Sequence, residues 1–223
     1  MSFVCIIPAR GNSKRIKNKN LKLFGGKPLI AWTIQAAQKV KRIKEVYVTS
    51  EDPKILKVSK KYSANTILRP KRLSNDKIHV DAAVIHCFNK IKKKYDYIVL
   101  LQPTSPLRNN KHISQAINLI KREKADCLVS VVKKKVLLWK KNSEKIKPIS
   151  YNIYRRPRSQ DMKLFAENGA IYISKSRTFL KYKNRLGGKI VGYEMDEKYS
   201  IDIDSLKDFK KTETILKANN KLI

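Results

Sequence analysis

The sequence predicts an α/β fold, a doubly wound and mostly parallel sheet with helices on both faces. Three observations predict it. Short apolar runs rich in Val and Ile recur between turn residues, helical periodicity fills the gaps, and the two alternate along most of the chain. The first runs are FVCIIP (3–8), EVYVTS (45–50), YIVLLQP (97–103) and CLVSVV (127–132), each too short for a helix. Between them, residues 28–42 place Leu29, Thr33, Ala36, Ala37 and Val40 on one face. Residues 79–92 do the same with Val80, Ala83, Val84, Cys87, Phe88 and Ile91, and 110–123 with Ile113, Ala116, Ile117 and Ile120. Crossovers of this kind are expected to be right-handed.

The rhythm breaks between Lys133 and Phe165, where KKK, KKNSEKIKP and RRPR are interleaved with Trp139, Ile149, Tyr151 and Tyr154. This stretch is expected to leave the sheet as a hairpin or arm. Order resumes with GAIYIS (169–174), GGKIVGYEM (187–195) and SIDID (200–204), and a last helix over 205–218 presents Leu206, Phe209 and Leu216. The expected organisation is one domain over residues 1–223 with an inserted arm at 133–165.

The chain has 223 residues and a formal charge of +33, from 51 basic and 18 acidic residues. Such a balance attracts polyanions. Yet 39 of the basic residues are Lys and 12 are Arg, and they occur in every segment. Base-reading proteins concentrate charge on one face and favour Arg, so no specific nucleic-acid partner is expected. Cys5, Cys87 and Cys127 lie in apolar settings without CxxC spacing, as small core residues of a reducing compartment do. No apolar run approaches membrane-spanning length and no signal-peptide pattern is present, which predicts a soluble cytoplasmic protein with no membrane partner.

Ligands of open α/β sheets bind at the carboxyl ends of the strands. Three segments fall there. In PARGNSKRIKNKNL (8–21), Gly11 offers backbone freedom, Arg10, Lys14, Arg15 and Lys19 are cations, and Asn12, Ser13, Asn18 and Asn20 are neutral donors. Such a loop can cradle phosphates, or it can be a solvated basic turn. In SIDID, Asp202 and Asp204 are two apart on an expected strand and project to one side, with Ile201 and Ile203 facing the core. Paired carboxylates suit Mg²⁺, which favours carboxylates together with substrate phosphates. The competing role is capping of the last helix by Asp204 or Ser205. PTSPLR (103–108) reads as a rigid turn exposing Thr104, Ser105 and Arg108. His86 falls near the apolar face of its helix and is expected to be packed.

Taken in order, IIPARGNSKRIKNKNL, LRPKRLSND (68–76), LLQPTSPLR (100–108), ENGAIYI (167–173) and SIDID resemble the acylneuraminate cytidylyltransferases, the CMP-sialic acid synthetases. The resemblance implies a Rossmann-like nucleotidyltransferase fold with a protruding dimerisation arm, hence a homodimer. It implies transfer of CMP from CTP to a nine-carbon 2-keto sugar acid, sialic or legionaminic, with Mg²⁺ as cofactor and pyrophosphate as second product. Arg10, Gly11, Asn12, Ser13, Lys14, Lys19 and Asn20 match the family's nucleotide loop, and Arg69 and Asp76 fall in its second nucleotide segment. Gln102, Thr104, Ser105 and Asn168 lie where the family meets the sugar. RRPRSQD (155–161) is similar to a basic segment in which Arg156 and Gln160 would meet the sugar acid. Asp202 and Asp204 match the metal pair, and Arg10, Lys19 and Asp202 would carry catalysis. Departures are Lys17, where many relatives have Pro, KIHV after Asp76, where hydroxyl residues are common, and Ala166–Glu167, where some bacterial members have an Arg for the sugar carboxylate. Rival readings are a cytidylyltransferase for another sugar acid such as the eight-carbon Kdo, or a non-enzymatic polyanion-binding α/β module.

Overall fold

FVCIIP forms strand β1 (Phe3–Pro8), buried along its whole length. The computed structural model describes residues 1–75 and 78–220. After β1 come the short hairpin β2 (Leu23–Phe24) and β3 (Lys27–Pro28), helix α1 (Leu29–Gln38), β4 (Ile43–Ser50), α2 (Pro53–Lys61) and β5 (Asn65–Leu68). Then follow α3 (Val80–Lys90), β6 (Tyr97–Leu101), α4 (Asn110–Arg122), β7 (Cys127–Lys134), the hairpin β8 (Trp139–Asn142) and β9 (Lys145–Pro148), and β10 (Leu164–Lys175). Helix α5 (Ser176–Tyr182), β11 (Ile190–Glu194) and α6 (Leu206–Asn220) complete the chain. Seven strands make one sheet in the order β11-β7-β10-β6-β1-β4-β5. Neighbours run parallel except β10, which is antiparallel to both β6 and β7.

Alternation along β1 divides the core. Phe3, Cys5 and Ile7 pack with Ile30 and Ile34 of α1 and Ile113 and Ile117 of α4. Val4 and Ile6 face the other way, towards Val84 and Cys87 of α3 and Phe179 of α5. Both faces are covered, as the continuous apolar runs require. A third cluster unites Ile16 of the loop after β1 with Ile203, Leu107 and the α6 residues Phe209 and Leu216. It binds three distant segments to one another beside the sheet.

Two expectations change, and one helix was not foreseen. SIDID forms no strand and pairs with no described strand of the sheet; its Ile203 N–H donates to the Thr104 carbonyl at 2.8 Å. The alternation of burial survives, with Ile203 buried and Asp202 and Asp204 exposed. Leu206 is exposed, since it starts α6 outside the third cluster. Helix α2, not foreseen, buries Ile55 and packs Leu56 and Val58 on the core; its start is marked by Asp52–Pro53, where Asp52 accepts from the Lys54 N–H at 2.8 Å and Pro53 opens the first turn.

In the 133–165 stretch, β7 and β10 stay paired out to Lys134 and Leu164, and β8 and β9 form a separate hairpin beyond them. Glu45, on β4, makes a distinct electrostatic feature: it accepts from Tyr95 at 2.7 Å and Tyr47 at 2.8 Å, and pairs with Lys93 at 2.5 Å. Lys93 foremost, then the Tyr hydroxyls, pull its carboxyl from 4.5 down to about 2, against the opposing pull of burial. A depressed carboxyl contributes stability above its unfolded pKa and loses it as pH falls through the folded one. Glu45→Gln is therefore expected to flatten the fall in urea-unfolding stability between pH 4.5 and about 2, while the wild type shows the full decline.

Candidate active site

A cleft of about 300 Å³ opens at the carboxyl ends of β1 and β6. The loop after β1 forms one wall with Arg10, Ser13, Lys19 and Asn20, and Leu73, Ile78, Val80 and Ala83 form an apolar wall opposite. The loop is tied shut by Asn20, whose Nδ2 donates to the Arg10 carbonyl at 2.8 Å. Among the described residues Asn20 Oδ1 is buried without a hydrogen-bond partner, and so is open to accept from a ligand. Lys14 lines an adjoining recess of about 400 Å³ with Arg10, Arg15 and Lys19. Asn12 and Lys17 are exposed and line neither wall.

Glu51 is the residue that motif reading missed. Its Oε1 accepts from the Gly11 N–H at 2.8 Å and its Oε2 from Arg69 Nη2 at 2.9 Å. Burial alone would raise the Glu51 carboxyl, but Ser74, the backbone N–H groups and Arg69 outweigh it and the net shift is downward. Arg69 also donates to the carbonyls of Thr49 and Ala9 at 3.3 Å and to Ser74 Oγ at 2.9 Å. Arg69 thus faces the cleft while its guanidinium is spent on building it. The only signal for Glu51 was an acid directly after a strand in a chain poor in acids.

Gly11 is needed for a different reason from the one expected. Its φ is not left-handed; a Cβ there would lie 2.6 Å from Asp52 Oδ2 and 2.7 Å from Asp52 Cβ. Gly11→Ala should push the loop off Glu51. We expect the apparent affinity for the cleft's ligand to fall about tenfold, from a displacement of an ångström or less, with calorimetric titration as the check.

The acidic segment closes the cleft. Arg15 Nη1 meets Asp204 at 2.9 Å, and Lys19 Nζ donates to the Ile203 carbonyl at 2.6 Å and lies 3.7 Å from Asp204. Arg15 and Asp204 are both exposed, so that pair adds little to stability. Burial lowers the Lys19 pKa, and Arg10 and Arg15 push the same way against the two aspartates. Asp202 is raised, first by burial on its protein side and then by Asp204 and Asp208, with Thr104 and Lys19 offsetting part. Ser205 and Asp208 cap α6 reciprocally, Ser205 N–H to Asp208 Oδ2 at 2.8 Å and Asp208 N–H to Ser205 Oγ at 3.2 Å. Capping therefore does not occupy the carboxylates of Asp202 or Asp204.

PTSPLR folds inward. Gln102 and Thr104 line the cleft, but Ser105 and Arg108 are buried, which corrects the expected exposure of both, and Ser105 lines neither cleft. Arg108 Nη2 donates to Thr33 Oγ1 at 2.8 Å and to the Gln102 carbonyl at 3.2 Å, so it pins the turn to α1. Burial pulls its pKa down to about 10.

A second cleft, of about 640 Å³, adjoins the first and shares Gln102 and Asp202 with it. Its walls include Glu167, Asn168, Gly169 and Tyr172 of β10 and Lys134, Lys198 and Lys211. Between Glu167 and Tyr172 the pairing of β10 with β7 slips, leaving a bulge opposite Ser130. Gly169 holds φ +71° there and leaves room for Gln102 Oε1, which would sit 3.2 Å from a Cβ. Asn168 is spent on the bulge: its Oδ1 accepts from Ser130 Oγ at 2.6 Å and the Ala170 N–H at 3.2 Å, and its Nδ2 donates to Ser200 at 3.0 Å. Arg156 and Gln160 lie on exposed turns of the 133–165 stretch and line neither cleft. Asp76 lies outside the described residues.

The chain matches known proteins along nearly its whole length. Residues 4–222 match the family described as cytidylyltransferase. An N-acylneuraminate cytidylyltransferase of Escherichia coli is 34% identical, covering 98% of this chain and 53% of that protein. N-acylneuraminate cytidylyltransferase A of Danio rerio is also 34% identical (89% and 47% covered), and the Streptococcus agalactiae enzyme is 32% identical (94% and 52%). The chain thus spans about half the length of these curated relatives. Among solved structures, a CMP:2-keto-3-deoxy-manno-octonic acid synthetase complexed with CTP superposes with a TM-score of 0.77 at 17% identity, covering 98% of this chain and 100% of that one. A 4-diphosphocytidyl-2C-methyl-D-erythritol synthase from Anaerococcus prevotii gives 0.72 at 12% identity, covering 97% and 96%. These two carry the fold, a nucleotidyltransferase sheet. With a basic loop after β1, a paired-aspartate segment facing it and a family match from residue 4 to residue 222, the chain belongs to the cytidylyltransferase family.

Proposed function

We propose that this chain transfers CMP from CTP to a nine-carbon 2-keto sugar acid of the N-acylneuraminate type, releasing pyrophosphate. One observation carries the reading: two clefts meet at Gln102 and Asp202, one lined by Arg10, Lys19 and Arg69 and one broader, lined by Glu167, Asn168 and three lysines. The names of the relatives at 32–34% identity support the nine-carbon acid over the eight-carbon one. In this reading the triphosphate lies along Arg10, Ser13 and Lys19, the base rests on the apolar wall of Leu73, Ile78, Val80 and Ala83, and the sugar occupies the second cleft.

The anomeric hydroxyl oxygen bonds to the α-phosphorus, in line with the bond from that phosphorus to the bridging oxygen of the β-phosphate. That bond breaks, pyrophosphate leaves with the electron pair, and the hydroxyl proton passes to solvent. Positioning and charge neutralisation carry most of the acceleration in such transfers. Lys19, held by the Ile203 carbonyl, and Arg10 stabilise charge on the departing pyrophosphate. Gln102 stands between the clefts, its backbone fixed by Arg108, and orients the sugar against the α-phosphate.

Asp202 and Asp204 fit a magnesium ion. The donors are carboxylates only, and among the described residues no third His, Cys, Asp or Glu joins them. That set suits a metal that keeps waters and takes substrate phosphates rather than a closed protein cage. When bound, the ion neutralises phosphate charge and lowers the pKa of the attacking hydroxyl.

The chain acts here as a single cytidylyltransferase domain over 1–223, and the 133–165 arm joins two copies. Trp139, Ile146, Ile149 and Tyr154 are exposed on that arm, an apolar surface suited to burial against a second copy. No described helix is long and apolar enough to cross a membrane, and all three cysteines are free and buried, in keeping with work in the cytoplasm. Incubation with CTP, Mg²⁺ and either N-acetylneuraminate or Kdo, followed by mass spectrometry, tests the substrate. The CMP ester of the nine-carbon acid is expected, and formation of the Kdo ester alone would reverse the choice.

A further inference from the structure

A buried ion pair stands behind the sugar-side cleft, outside both clefts' walls. Arg185, after α5, meets Asp81 of the first turn of α3 through Nε–Oδ1 at 2.9 Å and Nη2–Oδ2 at 3.3 Å, and both side chains are largely buried. This two-point fork fixes the plane of the guanidinium as well as its position. The Arg185 Cζ lies 4.9 Å from the ring centroid of Tyr172, and the Arg185 carbonyl accepts from Ser174 Oγ at 2.5 Å. Tyr172 is itself buried, and its hydroxyl donates to Glu167 Oε2 at 2.9 Å. Tyr172 and Glu167 both line the second cleft.

A buried ion pair is a costly way to fill space, since an apolar pair of similar volume packs as well or better. What it adds is direction. We propose that Arg185 is a positioning residue of the sugar-side cleft: clamped by Asp81, it sets the Tyr172 ring and, through the Tyr172 hydroxyl, aims the Glu167 carboxylate at hydroxyl and amide N–H groups of the sugar acid. This rests on the function proposed above and deepens it. Glu167 is exposed, so without the Tyr172 hydroxyl its carboxylate would sample several rotamers. Burial first, then Glu167, raises the Tyr172 phenol to about 12, so it keeps the proton it donates. The far end of the clamp is anchored in α3, the helix whose Val80 and Ala83 line the first cleft.

The test uses the full chain and the variants Arg185→Met, Arg185→Lys and Tyr172→Phe. Steady-state kinetics gives KM for the sugar acid and for CTP separately, melting temperature reports folding, and the ¹³Cζ line of Tyr172, assigned by its loss in Tyr172→Phe, reports the ring. Arg185→Met is expected to raise KM for the sugar acid about tenfold, as a misaimed substrate contact does, with kcat and the CTP KM near wild type. Arg185→Lys should recover only part of that loss, because it keeps a cation beside Asp81 but cannot form the two-point fork that sets the plane. Combining Arg185→Met with Tyr172→Phe should add little to either alone. An unchanged sugar KM in Arg185→Met would overturn the proposal. So would equal rises in both KM values alongside a lower melting temperature that Lys does not repair. If the wild type turns over no 2-keto sugar acid, the function above fails on its own account. The Tyr172 line then decides the clamp: a shift in Arg185→Met that is smaller in Arg185→Lys upholds it, and an unmoved line sinks it.

Discussion

Asp202→Asn is expected to lower kcat/KM for CMP transfer about a thousandfold or more, the scale of losing a charge-organising group aimed at the transition state. The reason is placement. Asp202 lines both clefts and faces the loop that would hold the triphosphate. Its folding role predicts the opposite sign. Burial and the neighbouring carboxylates raise its pKa, so its ionised form costs the native state stability near neutral pH. Asn removes that cost, and the melting temperature should hold or rise while activity collapses. Asp204→Asn should lose less activity, because Asp204 is already paired with Arg15 and Lys19. Calorimetry beside initial-rate kinetics checks both halves. An activity loss accompanied by a matching fall in melting temperature would show that Asp202 merely supports the fold.

Lys19→Met should cost about a hundredfold or more in kcat/KM, through both a lost cation and a loosened loop. Lys19 is tied to the segment that carries the aspartates through the Ile203 carbonyl and Asp204. Its pKa is lowered chiefly by burial, so its charge is held in an environment that disfavours it until an anion arrives. Bound CTP should therefore raise the Lys19 pKa, which NMR of the ¹⁵Nζ resonance measures directly. A pKa that stays put on CTP binding would remove Lys19 from the phosphate site. Arg15→Ala is the contrast. Its exposed pair with Asp204 should cost little in rate or stability.

Much of the sheet was legible because burial on both faces demands unbroken apolar runs, and β1, β6 and β7 have them. The helices α1, α3 and α4 were legible because each carries an apolar face. Helix α2 also carries one, Ile55 with Leu56 and Val58, but over only nine residues. SIDID shows the limit of period-two reading: alternating burial does not make a strand, because pairing depends on neighbours that only the fold supplies. Ser105 and Arg108 fail for a related reason. A polar residue in a Pro-bounded turn reads as exposed, whereas Arg108 is drawn inward by Thr33, far away in sequence. The fold brings Arg10, Ser13, Lys19, Asn20, Arg69, Asp202 and Asp204 around one cleft, and no spacing rule links these positions. Their ordered segments did, through likeness to a family. Glu51 lay outside those segments, although it holds both Gly11 and Arg69.

Pyrophosphate release is the most direct test of the site as a whole. Wild-type protein and Asp202→Asn are each given CTP, Mg²⁺ and a panel of 2-keto sugar acids that includes N-acetylneuraminate, legionaminic acid and Kdo. Release by the wild type with a nine-carbon acid, absent without the acid and lost in Asp202→Asn, is expected. No release with any acid in the panel, together with salt-sensitive binding of RNA, would contradict the transferase and leave a polyanion-binding module in its place.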